Sequence, residues 1–215
     1  MRVDGRDIRR RGCLFIVSGP SGAGKTSICT PVLERLSDIS LSVSYTTRKP
    51  RSGEHEGVDY RFVDAAEFDR MIGAGAFAEW AEVHGNRYGT SKADVESAIK
   101  AGSDLLLDID VQGAAQMKAS YPEAVAVFLL PPSPSKLTER LVGRKTDDEK
   151  TVRTRLYNAC TEIRHVNEYD YVIVNEDLRT AVDGLMAIIA AEHLRVQGIL
   201  ADDLARIVRT FETKP

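Results

Sequence analysis

At 215 residues, 43% apolar and 28% charged, the chain suits one soluble domain with small insertions. Its net charge of −3 excludes the global basic field of a nucleic-acid binder, and no apolar run approaches the roughly 18 residues of a membrane span. The charged N-terminus lacks a signal peptide's apolar stretch, and the three scattered cysteines form no C-x-x-C pair, so a cytoplasmic protein is expected. Cys13 and Cys29 read as packed, reduced thiols. The four histidines (His55, His84, His165 and His193) show no metal-ligand spacing, and surface or packing roles are expected for them.

Residues 1–11 carry five arginines and little to bury, so they read as a solvated basic tail; a basic arm for RNA is the alternative. The apolar run Cys13–Ser18 then predicts a buried strand. Gly19-Pro20-Ser21-Gly22-Ala23-Gly24-Lys25-Thr26 follows, fitting the phosphate-binding pattern G-x-x-x-x-G-K-[ST]. Ile28, Val32, Leu33 and Leu36 continue it at helical spacing, so strand, glycine-rich turn and helix occur in the order the chemistry needs. The glycines let backbone N–H groups face a polyphosphate, and the helix N-terminus adds partial positive charge. Lys25 reaches the β- and γ-phosphates, the Thr26 hydroxyl suits Mg²⁺, and Ser27 opens the helix. A nucleoside triphosphate is the expected ligand.

The alternating stretch Ile39–Thr47 predicts a strand, and Pro50 and Gly53 mark the turn that ends the pattern. Val58–Val63 reads as a second strand, followed by a helix through Phe68, Met71 and Ile72 to Gly73 or Gly75. Ala76–Val83 and Gly85–Thr90 read as two strands joined at Gly-Asn. Residues 40–90 are therefore expected to be a small, mostly antiparallel insertion.

Residues 92–100 read as helix, Leu105–Asp110 as a buried strand with carboxylates at its end, and Val111–Ser120 as helix. Val125–Leu130, stopped by Pro131-Pro132, and Tyr171–Val174, ending at Asn175, add two more strands. Short apolar strands alternating with helices imply an α/β core, a parallel sheet with helices on both faces, and ligands at the strands' carboxyl ends. Residues 133–164 hold a cluster of basic residues, and Thr146-Asp147-Asp148-Glu149 matches a capping box. They read as two helices meeting at Arg144-Lys145: a cationic lid over the triphosphate or, alternatively, a solvated amphipathic pair. The core is expected over 12–39, 91–132 and 165–194, and a helical extension over 195–215. The apolar residues of that extension pack at home or at a subunit contact, so monomer and homo-oligomer both stay open.

A phosphoryl-transfer enzyme needs an acceptor site, and the insertion has suitable groups. Arg48, Arg51 and Tyr60 can hold a phosphate, with Tyr88 as a second phenol. Glu79 and Asp110 suit guanine, whose N1–H and N2–H₂ are adjacent donors, while Ser44 and Thr90 can donate to O6 or N7. Adenine has no donor at N1, and an unpaired buried carboxylate would discriminate against it. Taken singly, each residue also fits a bland role as turn charge, sheet filler or strand end. The glycine-rich turn is not G-x-G-x-x-G, which excludes a dinucleotide fold.

The chain resembles guanylate kinase from about Gly12 to Glu192. The resemblance is carried by Gly19–Thr26, Val43–Arg51, Gly57–Tyr60, Glu79–Ala81, Tyr88–Thr90, Asp108–Gly113, Arg140–Arg144 and Val172–Asn175. It implies transfer of the γ-phosphoryl of MgATP to GMP, with dGMP as a further acceptor. It also implies a GMP site at Ser44, Arg48, Arg51, Tyr60, Glu79, Tyr88, Thr90 and Asp110, and catalytic roles for Lys25, Arg48, Arg144 and Arg155. An adenine-side contact at Asn175 and a place for Asp108 in the Mg²⁺ shell complete what it implies. Lys145 stands where the family often has glycine, and Thr90 where serine is common. A kinase of similar build acting on a ribose phosphate is the rival enzyme. A non-catalytic interaction module is the rival of another class, against which Lys25 and Thr26 speak.

Overall fold

The computed structural model describes residues 2–3, 6–83, 85–143 and 149–212. Two short strands, β1 (Arg2–Val3) and β2 (Arg6–Asp7), pair antiparallel ahead of β3 (Leu14–Ser18) and α1 (Lys25–Arg35). Next come β4 (Ile39–Leu41), β5 (Tyr45–Thr46), β6 (Arg61–Phe62), α2 (Ala65–Gly73), β7 (Phe77–Val83) and β8 (Asn86–Ser91). The chain continues through α3 (Lys92–Ala101), β9 (Asp104–Asp108), α4 (Val111–Ser120), β10 (Val125–Leu130) and α5 (Pro134–Val142). It closes with α6 (Glu149–Ile163), β11 (Tyr171–Val174), α7 (Leu178–His193) and α8 (Ala201–Glu212).

Five strands form one wholly parallel sheet in the order β11-β10-β3-β9-β4. Period-2 alternation divides the apolar side chains between its faces. Phe15, Val17, Leu106, Val127 and Leu129 pack with Ile28 and Val32 of α1 and Val182, Leu185 and Ile189 of α7. Leu14, Ile16, Leu105 and Leu107 pack on the other face with Val95 of α3 and Met117 of α4. A parallel sheet covered on both faces needs apolar residues at nearly every strand position, which is why these runs read as continuous. Side chains also fix where several helices begin: Asp64, Ser91, Asp110, Ser133 and Asp177 each accept a backbone N–H of the first turn.

The second sheet, β6-β5-β8-β7, is antiparallel except for the β5–β6 pair. Ile39–Thr47 is not one strand, as its alternation suggests. Ile39–Leu41 pairs with β9, Ser42 N–H donates to the Leu106 carbonyl, and the Ser44 carbonyl already accepts from Arg61 N–H in the other sheet. The second sheet thus takes over after Ser42, and residues 40 and 41 belong to the core. The strand expected over Val58–Val63 shrinks to Arg61–Phe62, because Val58 and Asp59 N–H close a turn on the His55 carbonyl.

The expected solvated tail is also corrected, at residues 9–11. Arg9 N–H and Nε donate to Asp203, Leu200 N–H to the Arg9 carbonyl, and Arg11 N–H to the Gly198 carbonyl. Arg10 reaches inward to Asp104, which is wholly buried and also takes Cys13 N–H and His193 Nε2. All three cysteines are free thiols, Cys29 buried, Cys13 half-buried and Cys160 exposed. The capping-box residues 146–148 and His84 lie outside the described residues.

Burial alone would raise the Asp104 carboxyl, but the hydrogen bonds from His193, Arg10 and Cys13 outweigh it and hold it below the usual carboxylate range. Asp104→Ala removes the shared acceptor and is expected to cost roughly 3 kcal/mol at pH 7 in urea unfolding. Because folding lowers this pKa, its contribution is complete above the unfolded value of about 4 and is lost as pH falls through the lower native value. The gap between wild type and variant should therefore narrow in acid.

Candidate active site

The glycine-rich turn leaves the carboxyl end of β3, the middle strand of the sheet. Gly19 has φ +146°, and a Cβ there would stand 2.4 Å from the Leu129 carbonyl oxygen of β10, so only glycine fits. Gly24, at φ +94°, starts α1, and the first turn of that helix points its N–H groups back into the loop. Lys25 Nζ donates to the Gly19 carbonyl at 3.2 Å and lies 3.9 Å from Asp108. Thr26 Oγ1 donates to Asp108 Oδ2 at 3.1 Å.

Behind the loop stands a brace. Asn175 Nδ2 donates to the Ala23 carbonyl at 2.7 Å, and Arg140 Nη2 donates to the Asn175 carbonyl at 2.7 Å. Asn175 is 5% exposed and does not line the cavity. Its side-chain amide is hydrogen-bonded to the loop backbone, and an adenine-side contact at Asn175 stays a proposal. Gly24 also lies close against it, since a Cβ there would meet Asn175 Nδ2 at 2.5 Å.

In front of the loop opens a cavity of about 310 Å³ shared by the two sheets. Its donor side is Gly19, Pro20, Ser21, Gly22, Gly24, Lys25, Thr26 and Ser27; its far side holds Ser44, Arg51, Tyr60, Glu79, Tyr88 and Asp110. Asp108 sits between them, and Arg155 reaches in from α6. Ala23 is buried under the loop, and Thr90 is buried behind Glu79. Arg144 lies outside the described residues.

Glu79 on β7 and Thr90 on β8 are register partners, and Thr90 Oγ1 donates to Glu79 Oε1 at 2.6 Å. Glu79 is 4% exposed. Burial raises its carboxyl, the Asp110 charge raises it further, and the Thr90 hydrogen bonds oppose; the balance leaves it pushed up to about 7. Asp110 caps α4 through Gly113 N–H at 2.8 Å and also accepts from Gln112 Nε2. The Tyr60 and Tyr88 rings meet edge to face at 5.9 Å, and the Arg48 guanidinium lies 5.2 Å from the Tyr60 centroid.

Two carboxylates were missed by the sequence reading. Glu54 takes both Nη groups of Arg48, at 2.8 and 2.9 Å, and also Arg51 N–H. It holds the Arg48 guanidinium above its ordinary range, and Arg48 lowers Glu54 in return. The available signal was an acid six residues beyond Arg48 on the far side of the Pro50–Gly53 turn. Glu162 of α6 accepts from Ser21 N–H at 3.3 Å, at the mouth of the phosphate loop. Nothing in its own helix marks it out, because its partner lies 141 residues away.

Among the described residues, no histidine or cysteine lines the cavity. The site has a cradle for a polyphosphate, hard oxygen donors at Thr26 and Asp108, and a carboxylate pocket for a donor-rich ring. Such a set can position two anionic ligands for direct group transfer.

The family model described as guanylate kinase matches residues 11–192. The guanylate kinase of Syntrophotalea carbinolica is 51% identical over 195 residues, covering 91% of this chain and 93% of that one. That of Aromatoleum aromaticum is 52% identical over 184 residues, covering 86% and 90%. The crystal structure of guanylate kinase from Anaplasma phagocytophilum superposes with a TM-score of 0.79 at 34% identity, covering 97% of this chain and 99% of that one.

Since folding raises the Glu79 pKa, ionising it in the ligand-free protein opposes folding progressively as pH rises from the ordinary carboxylate range to about 7. Glu79→Gln removes that penalty. The variant should melt with wild type at pH 4 and above it at pH 8, by roughly 2 °C or more, in thermal unfolding without nucleotide.

Proposed function

The chain belongs to the guanylate kinase family and transfers the γ-phosphoryl of ATP to GMP, giving ADP and GDP; we propose the following division of labour among its residues. The observation that carries it is that the Lys25-Thr26 loop opens into the same cavity as Glu79, Ser44, Tyr60 and Tyr88. ATP phosphates lie on the loop N–H groups, with Lys25 leaving the Gly19 carbonyl and Asp108 to neutralise charge at the transferring group. Glu79 and Asp110 accept from the guanine edge. Ser44 donates to its oxygen or N7, and Thr90 keeps Glu79 oriented. Arg48, Arg51, Tyr60 and Tyr88 hold the GMP phosphate, Arg48 sharing its fork between that phosphate and Glu54.

The acceptor oxygen is already ionised at neutral pH, so no strong general base is required. Catalysis rests on alignment and charge neutralisation, completed by Arg155 and Arg144 from the lid. The Thr26 hydroxyl and the Asp108 carboxylate are hard oxygen donors that converge at 3.1 Å, a set that fits Mg²⁺ with its remaining waters. Bound there with ATP, the ion would neutralise phosphate charge. Residues 42–90 and the α5–α6 region close over both nucleotides and exclude water. The reading places recognition at base and phosphate, so dGMP is accepted as well. No helix among the described residues is long and apolar enough to cross a membrane, and we place the enzyme in the cytoplasm.

The first test is ADP formation from MgATP with GMP, dGMP, AMP, UMP and CMP offered separately. Turnover confined to the guanine nucleotides is expected. Turnover with none of them, but intact ATP binding, would instead favour a ribose-phosphate kinase. Lys25→Ala should lower kcat roughly 10²- to 10³-fold, read by the same assay with saturating substrates. Glu79→Gln should erode selectivity for GMP, because its amide offers a donor where guanine already donates.

A further inference from the structure

Gly113 is the third residue of α4, the helix that packs against β7, and its backbone is ordinary right-handed helix. No unusual φ calls for glycine there, and glycine in a helix costs about 1 kcal/mol relative to alanine. Space does call for it. A Cβ at this position would stand 2.5 Å from Glu79 Oε2, 3.1 Å from Glu79 Cδ and 3.4 Å from Asp110 Oδ1. Both carboxylates assigned to guanine therefore converge on one missing methyl group.

We propose that Gly113 is a positioning residue for base recognition: its bare backbone leaves room for the Glu79 carboxylate to lie in the plane where guanine offers its donors. The inference rests on the role given to Glu79 above. Thr90 fixes Oε1 from the strand side, and Gly113 sets how far Oε2 can retreat toward the helix. Gly113 N–H meanwhile anchors Asp110, so one residue places both acceptors, the first by absence and the second by a hydrogen bond. The atoms that a Cβ would meet most closely form the end of a flexible side chain and not backbone. The carboxylate would swing away while the helix stayed where it is. Specificity is thus held at some expense of helix propensity.

The test is Gly113→Ala, assayed with GMP and with ATP as varied substrate, alongside thermal unfolding. KM for GMP should rise about tenfold, the loss expected from one misplaced charge-assisted hydrogen bond, with KM for ATP nearly unchanged. Tm should hold or rise, since alanine is the better helix former. In a Glu79→Ala background the same substitution should change KM for GMP by less than about twofold, because the residue it acts through is gone. Glu79→Asp, one methylene shorter, should cost less in the Gly113→Ala background than in the wild-type chain.

Three results would overturn the proposal: an unchanged KM for GMP in Gly113→Ala, an equal effect in the Glu79→Ala background, or a lowered Tm with KM for ATP raised in step. If Glu79→Ala itself left GMP kinetics intact, the fault would lie in the role given to Glu79.

Discussion

Everything at the active site depends on how closely the loop after β3 passes the Leu129 carbonyl of β10. At Gly19 there is no room for a single methyl group, and this contact decides where the loop turns and where α1 begins. Because β3 is the middle strand, its neighbours meet the loop from both sides. β9 delivers Asp108 to Thr26, and the ends of β10 and β11 bring Asn175 against the Ala23 carbonyl, with Arg140 of α5 behind. The Gly19 and Ala23 carbonyls of the loop are already satisfied, by Lys25 and by Asn175. A phosphate site of this kind is preorganised backbone, and the Lys25 ammonium is the loop group that has to move when charge arrives.

The acceptor side is organised differently. There the protein holds a carboxylate, Glu79, in poor solvent. Glu79 has one short hydrogen bond from Thr90, a neighbouring negative charge and almost no exposure, so its charged form is disfavoured until donors arrive. Arg48 shows the reverse. Its guanidinium is kept ionised and oriented by Glu54 and lies over the Tyr60 ring, so the fork proposed for the GMP phosphate is preformed. The group proposed to recognise the base thus needs its ligand, whereas the group proposed to recognise the phosphate is already balanced.

The parts of this arrangement legible in the sequence were those whose physics is local. The P-loop spacing, the buried strands and the helix following each are short-range patterns, and the structure keeps all of them. Ile39–Thr47 misled because period-2 alternation survives a change of sheet: the backbone stays extended while its hydrogen-bond partners switch. Asn175 could be placed at a strand end but not oriented, since the direction of its amide depends on Ala23, 152 residues away. Glu54, Glu162 and the inward turn of Arg10 were hidden for the same reason. A charged residue in a turn, on a helix or in an arginine run looks solvated until its partner is known. Gly113 was visible only as the last residue of the Asp108–Gly113 motif; its closeness to Glu79, on a distant strand, left no local mark.

The clasp beneath the sheet bears on the order in which the polypeptide can be finished as it is synthesised. β3 leads the core in sequence yet lies at its centre, so it waits for β9 on one side and β10 on the other. Arg10 and His193 then meet on the Asp104 carboxylate, and Arg9 is held only once Asp203 has been made. Residues near the start of the chain are thus locked by residues near its end. During translation, at about 5–20 residues per second, the phosphate loop can form well before the segment that secures the strand beneath it. The phosphate loop and its Asn175 brace are thus synthesised before Asp203, the residue that holds Arg9.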